Sequence, residues 1–461
     1  MEWLRYGAQH YPDRICINEY TYKDIYGGVL HVASELLPLE SSRVAILSDN
    51  SVIMAIYVLA AMLAHKEVLL LNVHLKPNEI ENQLKQLGVT TVLHSQDRRN
   101  QLPDSMCVIE FEPLETILAD RVLEDIFDWT FNDTDIAAIM NTSATTGQFK
   151  SVPLRWRQIR AHVQASQEVL GKTEQDNWLM VLPLFHVSGL SILMRSLYNG
   201  TAITILTKYD EAKVLELIET EKINMMSLVP TILTQLEPKI THHTLRVILL
   251  GGEFIPMALI DACEKKLLPI YKTYGMTETF SQSVTFSVLD YPHKRDSVGK
   301  PLPGMQIRID SPDADGVGEI HLTGPMVMTG YIGKEPIDGD LNTDDIGYVD
   351  EDGFVYILNR RKDLIISGGE NIYPKELEDL VYTLPSVKEC AVVPVSDPKW
   401  GQVPALFVAF HDGESMTSDE ILSFMTQSLA KYKIPKYVKI LPALPRNGTG
   451  KIVRNELRLE D

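Results

Sequence analysis

The sequence predicts an α/β protein with two parallel α/β units and a small β-barrel or sheet, followed by a small α+β domain. As far as Tyr274, short apolar runs alternate with longer amphipathic ones, which is typical of strand–helix–strand units in parallel sheets. From about Ser297, strand-like pieces are separated by turns rich in Gly, Pro and Asp. After Lys362 the pattern becomes strand, helix, two strands and helix. We therefore expect one domain at residues 1–361 and a second at residues 362–461.

The expected parallel strands are short, almost uninterrupted apolar runs, which indicate strands buried on both faces. They are Arg43–Leu47, Val68–Leu71, Thr91–His94, Ile136–Met140, Trp178–Leu182, Ala202–Leu206, Met225–Leu228, Val247–Leu250 and Ile270–Tyr274. The longest uncharged apolar run, Val52–Ala64, is too short to cross a bilayer and predicts a buried helix.

The second half of the chain predicts shorter elements. The strands expected in the β region are Gln306–Ile309, Glu319–Thr323 and Val355–Leu358. The C-terminal domain is expected to contain helices Pro374–Tyr382 and Ser418–Ala430 and strands Cys390–Val395 and Ala405–Phe410.

Composition limits the partners. The 461 residues suffice for about two to four domains, and the net charge of −19 argues against nucleic acid and acidic membranes as partners. Four widely spaced cysteines and an N-terminus without a signal peptide's features predict a reduced, cytoplasmic protein. Cations concentrate near the C-terminal end, either as a solvated basic face or as a surface for anionic ligands. They are Lys431, Lys433, Lys436, Lys439, Arg446, Lys451, Arg454 and Arg458.

Two segments follow predicted strands and carry reactive side chains. The first contains the hydroxyls of Thr142, Ser143, Thr145 and Thr146 and ends in Lys150. Hydroxyls, backbone N–H groups and a lysine suit a loop that wraps phosphates, although a Ser/Thr-rich surface turn has the same composition.

The second segment places His186, Ser188 and Gly189 in an apolar stretch, with Arg195 on the helix that follows. The histidine is either a packed core residue or part of a pocket. The arginine is either exposed or a planar fork for a substrate carboxylate.

Two strand ends, where open α/β sheets bind their ligands, have suitable residues for a flat ligand. Gly251 and Gly252 precede Glu253 and let a ring approach the backbone. A second strand ends in an aromatic, a glycine, a hydroxyl and a carboxylate. These residues are Tyr274, Gly275, Met276, Thr277 and Glu278.

Two further segments are ambiguous by themselves. Asp344 and Asp345 would ordinarily form a solvated turn. Pro445–Arg454 has a Gly-Thr-Gly-Lys sequence, but it lacks the first glycine and the Ser or Thr of a P-loop.

The segment Arg360–Pro374 resembles, almost letter for letter, the hinge of the adenylate-forming ligases, the superfamily of acyl-CoA synthetases. Similar motifs follow in the family's order from about residue 140 to Lys451. The resemblance implies a large domain, a hinge at Lys362 and a small mobile domain that carries the catalytic Lys451. The phosphate loop departs from the family pattern at Ala144, Gln148 and Phe149, which predicts weaker phosphate binding.

The resemblance also implies individual roles. Tyr274 flanks adenine, Thr277 reaches the phosphate, Glu278 helps to hold Mg²⁺, and Asp345 and Arg360 reach the ribose. His186 and Thr277 join Lys451 and Glu278 as catalytic candidates. The acyl-substrate candidates are His186, Ser188, Gly189, Arg195, Gly251 and Ser281, and Gly368 and Gly369 are expected at the CoA tunnel.

The implied reaction uses ATP, Mg²⁺ and coenzyme A and has two halves, through an acyl-adenylate. The resemblance favours an aromatic dicarboxylic acid as the substrate and leaves a homodimer open. A medium-chain or benzoate-type CoA ligase remains as an alternative. A non-catalytic nucleotide-binding homologue is the alternative from another class, and ATP-dependent AMP production would exclude it.

Overall fold

The computed structural model describes residues 1–459 apart from 105, 120–123, 144–148, 253–254, 361–362, 368–369, 430 and 447–451. The helices are α1 Glu2–His10, α2 Tyr22–Leu36, α3 Val52–Leu63, α4 Pro77–Gln86, α5 Leu114–Ile117, α6 Trp156–Leu170, α7 Val187–Asn199, α8 Glu211–Glu219, α9 Pro230–Leu236, α10 Met257–Lys265, α11 Pro374–Val381 and α12 Ser418–Thr426.

The strands up to the middle of the chain are β1 Ile15–Ile17, β2 Tyr20–Thr21, β3 Arg43–Leu47, β4 Glu67–Leu70, β5 Thr91–His94, β6 Cys107–Glu110, β7 Ile136–Ser143, β8 Phe149–Arg155, β9 Asn177–Met180, β10 Ala202–Ile205, β11 Met225–Leu228 and β12 Val247–Gly251. Those that follow are β13 Ile270–Met276, β14 Ser281–Ser287, β15 Lys300–Pro301, β16 Gln306–Asp310, β17 Gly318–Thr323, β18 Leu341–Val349, β19 Val355–Arg360, β20 Ile365–Ser367, β21 Glu370–Ile372, β22 Val387–Asp397, β23 Gly401–Phe410 and β24 Tyr437–Ile440.

Two largely parallel sheets confirm the predicted α/β class. One has the strand order β6-β5-β3-β4-β7-β8 and is parallel except for β8. The other has the order β15-β14-β13-β12-β11-β9-β10-β1-β2 and is parallel from β13 to β1. The apolar runs lie at the centres of these sheets, because helices cover both faces of a parallel sheet.

Helix α3 confirms the buried helix expected at Val52–Ala64. It begins at the N-cap Ser51, whose hydroxyl accepts a hydrogen bond from the backbone N–H of Met54 at 3.0 Å. Its side chains are almost all buried. Among the described residues, no helix combines the length and apolar character that a membrane span requires.

The β region is an open sheet in the order β16-β17-β18-β19, with antiparallel neighbours throughout. Strand β18 was not expected, since it contains Asn342, Asp344 and Asp345. The solvated-turn interpretation is wrong for Asp345, which lies within β18 and is 2 % exposed.

The last part of the chain folds around the hairpin β22–β23, with β20, β21 and β24 beside it. Helix α12 ends earlier than expected, at Thr426. In the described residues from Ile365 onward, buried apolar side chains pack into clusters of their own.

Several of the C-terminal cations form ion pairs, so this region is not simply a solvated basic face. Their partners, Glu376, Glu378, Glu389 and Asp397, lie on α11 and β22. The pairs are Lys433–Glu376 at 2.7 Å, Lys436–Asp397 at 2.5 Å, Arg446–Glu389 at 2.6 Å and Arg454–Glu378 at 2.5 Å. We infer that these cations chiefly attach the tail to the rest of its domain.

Candidate active site

The end of β13 is built around a very close backbone contact. Gly275 pairs with Gln282 of β14 beside a bulge, and a Cβ added to Gly275 would lie 1.6 Å from the carbonyl oxygen of Ser281. Phe280 and Ser281 turn the chain with positive φ values of 54° and 90°. Such values are uncommon for residues with side chains and concentrate at functional sites. The backbone therefore shapes this strand end.

We expect Gly275→Ala to destabilise the protein by about 1–3 kcal/mol, because the methyl group must displace backbone atoms. Gly27→Ala in α2 is the matched control, since nothing lies within 4 Å of a Cβ added there. It should be neutral or stabilise by about 0.5–1 kcal/mol. Thermal unfolding compares the two variants, and equal melting temperatures would contradict this account of the turn.

Tyr274 and Asp345 meet across two sheets. The Tyr274 hydroxyl donates a hydrogen bond to Oδ2 of Asp345 at 2.5 Å. The backbone N–H of Asp345 donates to Thr343 Oγ1 at 3.1 Å, which fixes the backbone at this position. The Cα of Arg360 is the partner of Asp345 across β18–β19. The residues expected to contact adenosine thus come together.

Glu278, Tyr331 and Lys150 form a second group. The Tyr331 hydroxyl donates to Oε1 of Glu278 at 2.8 Å, and Lys150 Nζ lies 4.9 Å from the centre of the Tyr331 ring. Burial raises the pKa of Tyr331, and the neighbouring Glu278 raises it further. Thr142 pairs with Lys150 across the β7–β8 hairpin. A carboxylate and a lysine expected at the phosphates are therefore linked by one phenol.

Several predicted residues lie outside the described part of the chain. They are Ala144, Thr145, Thr146, Gln148, Glu253, Lys362, Gly368, Gly369 and Lys451. Ser143 and Arg360 are described only by their place in strands β7 and β19.

The loop before α7 is held by Asn50, a buried residue. Its Oδ1 accepts a hydrogen bond from the N–H of Leu184 at 2.8 Å, and its Nδ2 donates to the carbonyl of Leu182 at 2.9 Å. His186, at the N-cap of α7, is half-buried, so it is not a fully packed core residue. A Cβ at Gly189 would lie 2.2 Å from the carbonyl oxygen of Pro183. The loop therefore folds tightly onto the first turn of α7, where Ser188 lies.

Gly251 and Gly252 provide a flat strand end at β12. A Cβ at Gly251 would lie 2.5 Å from the carbonyl oxygen of Thr273 in β13. Gly252 has a φ of 85°, which favours glycine. The two glycines thus leave bare backbone beside Tyr274.

Arg195 is among the largest fully buried side chains, at 1 % exposed, so the surface interpretation is wrong. Its Nη1 donates to Oε1 of Gln282 at 2.5 Å, and its guanidinium lies 4.3 Å from the centre of the Trp178 ring. In the described part of the chain it forms no ion pair with a carboxylate. Burial lowers its pKa to about 9, so it remains a cation at neutral pH.

His186 and Arg195 lie toward opposite ends of α7, about 13 Å apart along the helix axis. Ser281 directly precedes Gln282, the partner of Arg195.

The sequence did not point to Asn50 or Tyr331. Tyr331 had only a weak signal, an aromatic residue after Gly330. Asn50 had none, because its partners lie far away in the sequence.

Glu278 suits Mg²⁺ as a single carboxylate ligand. Tyr331 engages one of its oxygens, which leaves the other for a cation. The described residues contain no group of three His, Cys, Asp or Glu placed to hold a metal. Mg²⁺ at nucleotide sites usually takes one or two carboxylates and completes its shell with phosphates and water.

Two family models match the chain: the AMP-binding enzyme over residues 4–332 and the AMP-binding enzyme C-terminal domain over residues 376–451. The 2-succinylbenzoate–CoA ligase of Lactococcus lactis is 51 % identical over 460 residues, covering 99 % of this chain and all of that protein.

Two solved complexes of o-succinylbenzoate CoA synthetase from Bacillus subtilis, both 34 % identical, resemble the fold to different degrees. The complex with the acyl-adenylate intermediate has a TM-score of 0.89 and covers 100 % of this chain and 98 % of that one. A double mutant bound to a product analogue has a TM-score of 0.73 and covers 99 % and 97 %. This chain is thus more similar in overall structure to the adenylate complex than to the product-analogue complex.

Proposed function

This chain belongs to the AMP-binding enzyme family, and we propose that it joins 2-succinylbenzoate to coenzyme A, with ATP cleaved to AMP and pyrophosphate. The observation that supports this choice of substrate is the 51 % identity, over essentially both full lengths, to the Lactococcus lactis 2-succinylbenzoate–CoA ligase. Such a reaction belongs to menaquinone biosynthesis.

The reaction has two halves. In the first, a carboxylate oxygen of the succinyl chain attacks the α-phosphorus of ATP, and the bond to pyrophosphate breaks. In the second, the CoA thiolate attacks the acyl carbonyl, and the bond to AMP breaks. Both reactants of the first half are anions, so catalysis must consist of positioning and charge stabilisation.

We assign the nucleotide to the Tyr274–Asp345 group and its surroundings. Tyr274 would lie against adenine, flanked by the backbone of Gly251, Gly252, Glu253, Gly275 and Met276. The Asp345 carboxylate would accept hydrogen bonds from the ribose hydroxyls, together with Arg360. The 2.5 Å hydrogen bond from Tyr274 to Asp345 supports this assignment, since it ties the ring to the carboxylate.

We assign the phosphates to Lys150, Thr277 and the hydroxyls of Thr142, Ser143, Thr145 and Thr146. Glu278 would bind Mg²⁺, which neutralises phosphate charge when it is present. Tyr331 would orient Glu278 through their 2.8 Å hydrogen bond.

We assign the acyl substrate to the region between the start of α7 and the end of β14. His186, Ser188 and Gly189 would line its entrance, with Gly251 and Ser281 further in. Arg195 would pair with the ring carboxylate, which takes no part in the reaction. Its burial, without a carboxylate partner among the described residues, supports this role, because an arginine in such a place needs an anionic partner.

We propose that residues 362–461 rotate about Lys362 between the half-reactions. Lys451 would serve adenylate formation, and the face with Gly368 and Gly369 would then meet CoA. The different TM-scores of the two Bacillus subtilis complexes support two orientations of this domain.

We also propose that the enzyme is cytoplasmic, because its four cysteines are free thiols. We further propose that it forms a homodimer.

The test is ATP–pyrophosphate exchange with a panel of acids: 2-succinylbenzoate, benzoate and octanoate. We expect exchange with 2-succinylbenzoate at a kcat/KM at least tenfold above the others, which corresponds to about 1.4 kcal/mol. With CoA present, one AMP should form for each thioester, identified by mass spectrometry. Preference for benzoate or octanoate would refute the assigned substrate, and absence of AMP would refute the reaction.

A further inference from the structure

We propose that Gln282 is a positioning residue that holds Arg195 through a neutral acceptor, so that the arginine keeps its charge for the ring carboxylate of the substrate. The proposal rests on the proposed function and adds a specificity-determining residue to it. Gln282 is 1 % exposed and lies on β14, next to Ser281.

The hydrogen bonds around Gln282 fix which way its amide points. Its Oε1 accepts from Arg195 Nη1 at 2.5 Å and from the Ser166 hydroxyl at 2.9 Å. Its Nε2 donates to Thr285 Oγ1 at 2.9 Å. Since a guanidinium only donates, the amide oxygen must face Arg195.

Two further described neighbours of the guanidinium are also uncharged. Trp178 offers its ring face. His162 lies nearby, and burial, with a smaller contribution from Arg195, lowers its pKa well below the ordinary range. It is therefore neutral, and its Nε2 accepts a hydrogen bond from the backbone N–H of Gln282 at 3.4 Å. In the described surroundings, Arg195 thus carries the formal charge alone.

The guanidinium is not fully satisfied by these contacts. Its Nε is buried and has no hydrogen-bond partner within the described part of the chain. An unmet donor on a buried cation costs free energy until an acceptor arrives. The arrangement suits a ligand carboxylate, which is an acceptor and an anion together.

A glutamine at this position can bind the guanidinium without neutralising its charge. A glutamate of the same size would form an internal ion pair and cancel the charge of Arg195. An apolar residue would leave Nη1 without an acceptor. The amide fixes the guanidinium and leaves its charge available.

Gln282 also connects the region assigned to the acyl substrate with the region assigned to the nucleotide. Thr285 Oγ1 donates to Thr273 Oγ1 at 3.0 Å, and Thr273 directly precedes Tyr274. Arg195 is thereby tied, through Gln282 and two threonines, to the strand that we assign to the nucleotide. The guanidinium is thus held at a fixed place relative to the reacting end of the substrate.

The test is Gln282→Glu, assayed with 2-succinylbenzoate and with 3-benzoylpropionate, which keeps the succinyl chain and lacks the ring carboxylate. We expect KM for 2-succinylbenzoate to rise about 10–100-fold, the equivalent of one charge-assisted hydrogen bond. KM for ATP and for 3-benzoylpropionate should stay within twofold of the wild type. The melting temperature should not fall, because an Arg–Glu pair replaces the Arg–Gln hydrogen bond.

Gln167→Glu is the matched control. Gln167 neighbours Ser166 on α6, but its amide donates to Asn199 at 2.9 Å. Among the described residues it forms no hydrogen bond with Arg195. This variant should leave KM for both acids unchanged.

A second variant, Gln282→Met, removes the acceptor without adding charge. It should raise KM for 2-succinylbenzoate several-fold and leave kcat nearly unchanged. An equal rise in KM for both acids, or no change in KM for either acid, would overturn the role of Gln282. Failure of the wild-type protein to use 2-succinylbenzoate would instead overturn the proposed function, so the two failures are distinguishable.

Discussion

Lys451→Ala should slow acyl-adenylate formation by about 10²–10³-fold, the usual cost of removing one preorganised charge from a transition state. The resemblance places this lysine between the attacking carboxylate and the leaving pyrophosphate, where negative charge is concentrated. The lysine that serves this step would block the thiol in the next one. Thioester formation from supplied acyl-adenylate should therefore survive the change.

The two half-reactions can be measured separately, by pyrophosphate exchange and by thioester formation from the purified adenylate. Lys431→Ala is the matched control: it removes the same charge from an exposed position of the same domain. We expect it to leave both half-reactions intact. If Lys451→Ala slows both equally, the assignment of Lys451 to one step is wrong.

The parallel strands were the easiest elements to predict. Strands Arg43–Leu47, Thr91–His94 and Met225–Leu228 have the expected bounds. Each is buried along nearly its whole length, so its sequence is a largely apolar run.

Strands that carry polar side chains into buried places could not be predicted in this way. Strand Ser281–Ser287 is mostly buried, but Ser, Gln and Thr make up most of it. Gln282 bonds to Arg195 and Ser166, and the Ser283 hydroxyl donates to Thr279 at 2.7 Å. These hydrogen bonds offset the cost of burying polar groups, and they are invisible to a rule based on apolar runs.

The site was partly predictable for a related reason. Tyr274, Gly251 and Glu278 stand within two residues of a strand end, and strand ends of one sheet share an edge. The residues that join distant segments were not predictable. Tyr331 reaches Glu278 and Asn50 reaches Leu184 only after folding, and no local pattern encodes such pairs.

Arg195→Leu should raise KM for 2-succinylbenzoate by about 10²–10³-fold, because the ring carboxylate would be buried without a partner. KM for ATP should change little. Relative to 2-succinylbenzoate, 3-benzoylpropionate should become the better substrate, since it has no ring carboxylate to bury. Steady-state kinetics with both acids measures this reversal.

Thermal stability separates this role from a structural one. In the free protein Arg195 is a buried cation without a carboxylate partner among the described residues, so Arg195→Leu should not lower the melting temperature. Arg246→Leu is the control for an arginine that holds the fold. Arg246 Nε donates to Oδ1 of Asp176 at 2.6 Å, and that carboxylate is 2 % exposed.

Removing Arg246 leaves the buried carboxylate of Asp176 without its partner, which typically costs about 3–5 kcal/mol. The melting temperature of the Arg246→Leu variant should therefore fall, while its preference between the two acids should stay that of the wild type. If the Arg195→Leu variant also has a lower melting temperature and raises KM equally for both acids, Arg195 supports the fold and does not bind the ring carboxylate. The substrate assignment would then lose its physical basis at this position, and an acid without a second carboxylate would fit the pocket equally well.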